Sequence, residues 1–308
     1  MTQSLSSLSN RNLISRRRFL ASVAAMAGAP LQTNAQTRPV PELAGLVGIT
    51  SASLAHQMNA DSPGRMIDLW DLPRFMRDEL GMKVLDLNTK TLGSREPGHV
   101  DRFRQAAADA GCVLTNLKVN DVTLEFEHDD PATRRRALNE YKIWIKTAAR
   151  LGVRWLRPMP ALKTPTFSVL VESYRELADF GGEHGITLLV ENYRWIEPDP
   201  AAIPRLIEAL DRRIAASPDT GNWVPEVRYD ALARAFPYAV TCDFKPRGLL
   251  ASNEHPAFDL RRCFEIGWRA GFRGPWCIEQ LNPDSKAIIR QLNWLKSQLE
   301  TWIREAKA

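Results

Sequence analysis

Beyond residue 40 the chain repeats one pattern. A segment of helical length, apolar at three- and four-residue spacing, is followed by a Gly or a short polar turn and then by a brief apolar run. The runs cover 46–50, 83–87, 112–117, 153–156, 186–190, 213–217, 238–241 and 275–278, eight in all. Between them lie amphipathic segments such as 133–151, 168–184 and 256–270, and Gly81, Gly111, Gly152, Gly185 and Gly271 stand where helices commonly stop. Eight alternating units in about 270 residues predict an α/β fold of the (β/α)8 TIM-barrel type. An open doubly wound sheet is the runner-up, and it lacks the GxGxxG that would open a dinucleotide-binding helix.

The first 35 residues are of a different kind. Ser15-Arg16-Arg17-Arg18-Phe19-Leu20, the small apolar stretch 21–29 and Thr33-Asn34-Ala35 come in the order of a twin-arginine export signal with a small-residue exit. The mature chain is therefore expected to begin near Gln36, to form a single domain over 36–308 and to reside in the periplasm or outside the cell. The twin-arginine export machinery is the partner this implies. The apolar stretch is too short for a permanent membrane anchor, and no other stretch is longer.

Removing that segment removes the basicity. Lys and Arg total 41 against 36 Asp and Glu. Arg11, Arg16, Arg17 and Arg18 all lie in the first 35 residues, which hold no acid, so 37 face 36 in the rest. A near-neutral chain without basic clusters has no electrostatic footprint for nucleic acid. Cys112, Cys242, Cys263 and Cys277 are far apart and form no CxxC, and no disulfide is expected.

Chemistry concentrates in the second half. Glu191 closes Ile186-Thr-Leu-Leu-Val, Asp219 closes Ile214-Ala-Ala-Ser-Pro, Asp243 closes Ala239-Val-Thr-Cys, and Glu279 closes Pro275-Trp-Cys-Ile. In a barrel these four carboxylates meet at the C-terminal rim, and such a gathering is costly unless a cation sits between them. Glu191, Asp219, Asp243 and Glu279 are thus candidate ligands of a divalent metal. Strand alternation then places Leu189 below Glu191, Thr241 below Asp243 and Cys277 below Glu279.

Val190-Glu191-Asn192, Asp219-Thr220-Gly221-Asn222, Asp243-Phe244-Lys245 and Ile278-Glu279-Gln280 resemble the xylose isomerase-like barrel superfamily of sugar isomerases and epimerases over essentially the whole mature chain. The resemblance places metal ligands at Glu191, Asp219 and Glu279. Asp243 stands where the family has a metal-binding His, Thr241 where the strand-seven motif has its first His, and Asn222 where the DxxH motif ends. An all-oxygen shell favours Mn²⁺ or Mg²⁺, admits Ca²⁺ and disfavours Zn²⁺. The superfamily's phosphate-ester endonucleases need several His ligands, and the histidines here do not occupy those motifs.

The activity implied is isomerisation or epimerisation of a sugar by proton abstraction beside a carbonyl through an enediolate, with Glu191 and Glu279 as the acid and base. Lys245 matches the family's strand-seven Lys and is a candidate catalytic cation. Lys118, Arg157 and Arg247 would offset the acidic shell, Asn222 would orient substrate, Trp195 and Trp223 are candidate stacking platforms, and His56 follows strand one. Export favours a free sugar or keto-sugar over a sugar phosphate. Two other readings stay open: a lyase or hydrolase acting on a keto-glycoside through the same metal site, and a non-catalytic carbohydrate-binding barrel. A homo-oligomer is also open.

Overall fold

The computed structural model describes residues 40–62, 65–249 and 257–308, so the twin-arginine segment 1–35 lies outside the described residues. Strands and principal helices alternate through the described chain. They are β1 (Val47–Thr50), α1 (Leu72–Glu79), β2 (Val84–Asn88), α2 (Pro97–Asp109), β3 (Val113–Val119), α3 (Pro131–Leu151), β4 (Trp155–Pro158) and α4 (Phe167–Glu183), then β5 (Thr187–Val190), α5 (Ala202–Ala209), β6 (Ala215–Ala216), α6 (Arg228–Ala235), β7 (Cys242–Phe244), α7 (Leu260–Arg269), β8 (Trp276–Ile278) and α8 (Ser285–Lys307).

Local chemistry explains the helix boundaries. Asp130, Asp259 and Asp284 cap α3, α7 and α8, each carboxylate accepting from the backbone N–H three residues on. Pro97 and Pro131 occupy first-turn positions, where a missing N–H costs nothing. α3 stops at Gly152, whose φ of 78° is the left-handed conformation that glycine adopts without strain.

The strands are all parallel, in the order β6-β5-β4-β3-β2-β1-β8-β7. Two isolated parallel bridges, Ala216 to Ala239 and Asp219 to Asp243, join the two ends of that order. Val240 N–H donates to the Ala216 carbonyl, Asp243 N–H to that of Pro218 and Thr220 N–H to that of Asp243, each at 3.0 Å. The sheet is therefore a barrel rather than an open doubly wound layer.

This seam is also where the strand boundaries move. Phe236–Tyr238 turns as a short 3₁₀ helix, and β7 begins only at Cys242. Asp243 consequently lies within its strand instead of just past it. Pro218, which has no N–H to offer the ladder, follows closely on the two-residue β6.

Two apolar regions result. The larger lies between the sheet and the helices, and the smaller fills the barrel with Val84, Trp155, Leu189, Ala215, Val240 and Cys277, joined by Leu43. Two residues further along the strands, on the same inward face, come Asp86, Arg157, Glu191 and Glu279. An apolar floor thus carries a charged layer. In the outer core Trp276 is the centre of an aromatic cluster, with ring centroids of Phe272, Phe264 and Phe236 at 4.8, 5.0 and 5.7 Å. The four cysteines are buried and unpaired. Among the described residues no helix is long and apolar enough to cross a membrane.

Replacing Trp276 removes the hub against which β7, β8 and α7 pack. Trp276→Ala is expected to cost about 3–5 kcal/mol of stability, read from the denaturant midpoint.

Candidate functional site

The charged layer is assembled from seven strands, β2 to β8, and the loops that follow them. Asp219 leaves β6 through a backbone clamp: its N–H donates to Asn192 Oδ1 at 2.7 Å, and Asn192 Nδ2 donates back to the Asp219 carbonyl at 2.9 Å. Its Oδ1 then accepts from the N–H groups of Gly221 at 2.6 Å and Asn222 at 3.1 Å. Gly221 is required by contact: a Cβ there would stand 2.8 Å from the Lys245 carbonyl oxygen. On the neighbouring loop Lys245 N–H donates to Thr220 Oγ1 at 2.8 Å. The β6 and β7 loops therefore hold each other, and with them Asp219 and Lys245.

Each of the four expected carboxylates has a basic partner. Lys118 on β3 is fully buried and ion-paired with the equally buried Asp243, with Glu279 at 4.0 Å. Lys245 Nζ lies 2.7 Å from Glu279 Oε1 and 3.4 Å from Asp219 Oδ2. Arg157 Nε is 2.9 Å from Glu191 Oε2, an ion-pair contact without hydrogen-bond alignment. Asn222 links two of these pairs, donating from Nδ2 to Glu191 Oε1 at 3.1 Å and accepting at Oδ1 from Lys245 and Arg247, both at 3.3 Å.

The structure brings Glu191, Asp219 and Asp243 together as one group, each offering an oxygen within 4.8 Å of the others. Glu279 lies outside that group. Its carboxylate is turned to the lysines, so three of the four expected ligands form the converging group. The three that converge each carry one buried oxygen without a hydrogen-bond donor: Glu191 Oε2, Asp219 Oδ2 and Asp243 Oδ2. Buried carboxylate oxygens without donors are costly, and a hard divalent cation would satisfy them, so the donor set fits such an ion.

Charge counting agrees. Asp86, Glu191, Asp219, Asp243 and Glu279 face Lys118, Arg157 and Lys245 in the buried layer, five carboxylates against three cations. Burial pushes the Asp243 carboxyl up to about 8, with Lys118 opposing and Glu191 and Glu279 reinforcing the rise. Asp219 is pushed up to about 6 by burial, against the pull of Lys245. Burial also raises Glu191, despite Arg157 and Lys118. Glu279 goes the other way: burial would raise it, yet Lys245 and Lys118 hold it below the usual carboxylate range. Burial would lower both lysines, and their carboxylate neighbours reverse that and raise them.

The remaining sequence candidates separate. Asn222, Arg157, Lys118, Lys245 and Arg247 all join the cluster. Trp223 is buried in the outer core and presents no stacking face, because the tight β6 loop folds it inward. Trp195 is half-buried against the same core, on the 3₁₀ turn Arg194–Ile196. His56 is exposed on a short helix after β1 and has no contact with the carboxylates. Asp86 was missed. It is fully buried on β2, accepting from Thr115 Oγ1 at 2.5 Å and facing Thr241 Oγ1 at 3.5 Å. Its signal was an acid in the middle of an apolar run, Lys83-Val-Leu-Asp-Leu87.

The family model described as Xylose isomerase-like TIM barrel matches residues 78–298. No curated protein matches the chain. Among solved structures, a xylose isomerase-like TIM barrel protein from Mycobacterium smegmatis in complex with magnesium is 17% identical, with a TM-score of 0.63 over 85% of this chain and 98% of that one. D-psicose 3-epimerase from Clostridium cellulolyticum H10, with D-tagatose, is 17% identical at a TM-score of 0.62, over 85% and 96%. An L-ribulose 3-epimerase is 15% identical at 0.65, over 85% and 95%. At these identities the likeness is one of fold.

Two outcomes follow from the charge pairs. Lys118→Met strands the buried Asp243 and is expected to cost about 3–5 kcal/mol, part of which Asp243→Asn restores in the double variant, as a double-mutant cycle measures. Asp219 and Asp243 bind protons more tightly folded than unfolded, where a carboxyl titrates near about 4. Their contribution is complete below that value and is lost as pH rises through about 6 and about 8. Metal-chelated protein should accordingly lose melting temperature between pH 5 and about 9, and Asp243→Asn should flatten the upper part of that slope.

Proposed function

The chain belongs to the Xylose isomerase-like TIM barrel family, and from that premise we propose that it is a metal-dependent sugar isomerase or epimerase that moves a proton at a carbon beside a carbonyl. The observation that carries this reading is the contrast within one site: Glu279 kept ionised at 2.7 Å from Lys245, beside three converging carboxylates with donor-free oxygens. Glu191, Asp219 and Asp243 would hold the divalent ion, which supplies positive charge toward the oxygens of a hydroxy-carbonyl substrate.

The chain's own residues do the rest. Glu279 takes the proton from carbon, and the electron pair left behind moves toward the carbonyl oxygen. The Lys245 ammonium donates a hydrogen bond to that oxygen as its charge grows. Glu191, three strands away around the ring, returns a proton. Return to the neighbouring carbon, with the hydroxyl proton passing to the former carbonyl oxygen, gives the isomer, and return to the opposite face of the same carbon gives the epimer. Asn222 keeps Glu191 and Lys245 in register through its two hydrogen bonds. The magnesium-bound neighbour and the two epimerases among the similar structures support the metal and the substrate class. The arginine-led segment at 16–18 supports export to the periplasm, and thus a free sugar rather than a phosphorylated one.

In D₂O with Mn²⁺ or Mg²⁺, deuterium should enter a free ketose at the carbon beside the carbonyl, detected by NMR. Glu279→Gln should slow that exchange by about 10²–10⁴-fold. Saturating metal should raise the melting temperature, with about 2.7 kcal/mol of stabilisation at a hundredfold excess over Kd, and Asp219→Asn should abolish the rise. Failure of every ketose in a panel to exchange, with metal bound, sinks the proposal.

A further inference from the structure

We propose that a cleft between the loops after β1 and β2 is a second sugar subsite, which accepts the glycosyl unit of a ketose-ended disaccharide whose ketose lies at Glu279. This rests on the reading above for the ketose end only. The cleft measures about 760 Å³, within the range of ligand sites, and Asn59, Trp70, Lys90, Thr91 and His99 are among its lining residues. It exists because the connection from β1 to α1, between Thr50 and Leu72, is the longest on the C-terminal face.

The lining chemistry selects the ligand. Trp70 is braced, with the His99 ring centroid at 4.8 Å and the Arg102 guanidinium 3.9 Å from its own centroid, which covers one face of the ring and holds it in place. His99 Nε2 lies 2.7 Å from the Leu92 carbonyl, which can only accept, so Nε2 carries the hydrogen and donates. Asn59 Oδ1 accepts from Asp61 N–H at 3.1 Å, which leaves the Asn59 amide as a donor. Lys90 is exposed, without an ion pair among the described residues, whereas Arg65 at the edge is neutralised by Asp68. One unneutralised cation among mixed donors, acceptors and an aromatic face suits hydroxyl groups on a ring. A phosphate would call for several free cations, and an apolar ligand would leave the polar groups unpaired.

The cleft is joined to the charged site through the backbone. Ser53 Oγ donates to the Ile278 carbonyl and accepts from Gln280 N–H, both at 3.1 Å, and so brackets Glu279. Two residues later Ala55 forms part of the cleft wall, which places that wall within about 7 Å of Ser53 along the chain. On the other side Ser51 Oγ donates to Thr91 Oγ1 at 2.9 Å and accepts from Asn88 N–H at 2.8 Å, fixing the second wall to the end of β2. One wall of the cleft is thus tied to the backbone on either side of Glu279 and the other to the end of β2.

The test is an NMR titration of the Mg²⁺-loaded protein with D-fructose and with two disaccharides that carry fructose, turanose and lactulose. The disaccharides are expected to bind about tenfold more tightly than fructose to the wild type. In Asn59→Ala/Lys90→Ala the gap should close, with fructose affinity and melting temperature unchanged. Equal affinity in the wild type, or a gap that survives both substitutions, overturns the subsite. If the disaccharides bind through Lys90 and Asn59 while Asp219→Asn and Glu279→Gln leave fructose binding unaltered, the subsite stands and the proposed function falls. Absence of binding by all three sugars overturns both.

Discussion

The arrangement depends on an excess of buried negative charge at one end of the barrel. Five carboxylates and three cations share a layer from which water is largely excluded, and each group there is placed by what neutralises it. Lys118 spans the barrel interior to Asp243, Arg157 reaches Glu191, and Lys245 lies between Glu279 and Asp219. The imbalance leaves oxygens of Glu191, Asp219 and Asp243 without donors, and burial raises those three carboxyls toward neutrality while the lysines keep Glu279 ionised. The proposed affinity for a divalent cation and the proposed separation of acid from base would have one electrostatic origin.

Fold closure and site are built from the same residues. The Asp219 to Asp243 bridge and the Thr220 contacts join β6 to β7, and Asp219, Asp243 and Lys245 are the groups that carry the charge. A barrel closed by a regular ladder would set these side chains by strand register alone. Here a short seam of backbone hydrogen bonds sets them, and Gly221 permits the close approach on which the seam depends. The long β1 connection adds to the rim without disturbing this, since Ser51 and Ser53 anchor its first turn to β2 and β8.

Eight strand runs, the helices between them, the glycine stops and the four rim carboxylates were all legible before any coordinates, because hydrophobic periodicity and punctuation are local properties. β7 was the exception. Its apolar run 238–241 reads as a strand, but Pro237 within Phe236–Tyr238 turns the chain and delays pairing until Cys242. Asp86 was hidden by its own run: periodicity marks such a residue as core and says nothing of the barrel lumen it faces. Trp223 misled for the opposite reason, since aromatic residues near a strand end serve core and platform alike.

What the sequence alone determined was the architecture and the kinds of groups at the rim, since strand parity places residues two apart on one face and strand ends on one side. What only the tertiary structure decided was pairing: that Asp243 meets Lys118, that Glu279 turns to Lys245 and leaves a three-carboxylate group, that Trp223 faces the core, and that Trp70 and His99 line one cleft. These contacts join residues tens to more than a hundred positions apart. Their energies arise from burial and from charge at close range, and neither exists until the barrel closes.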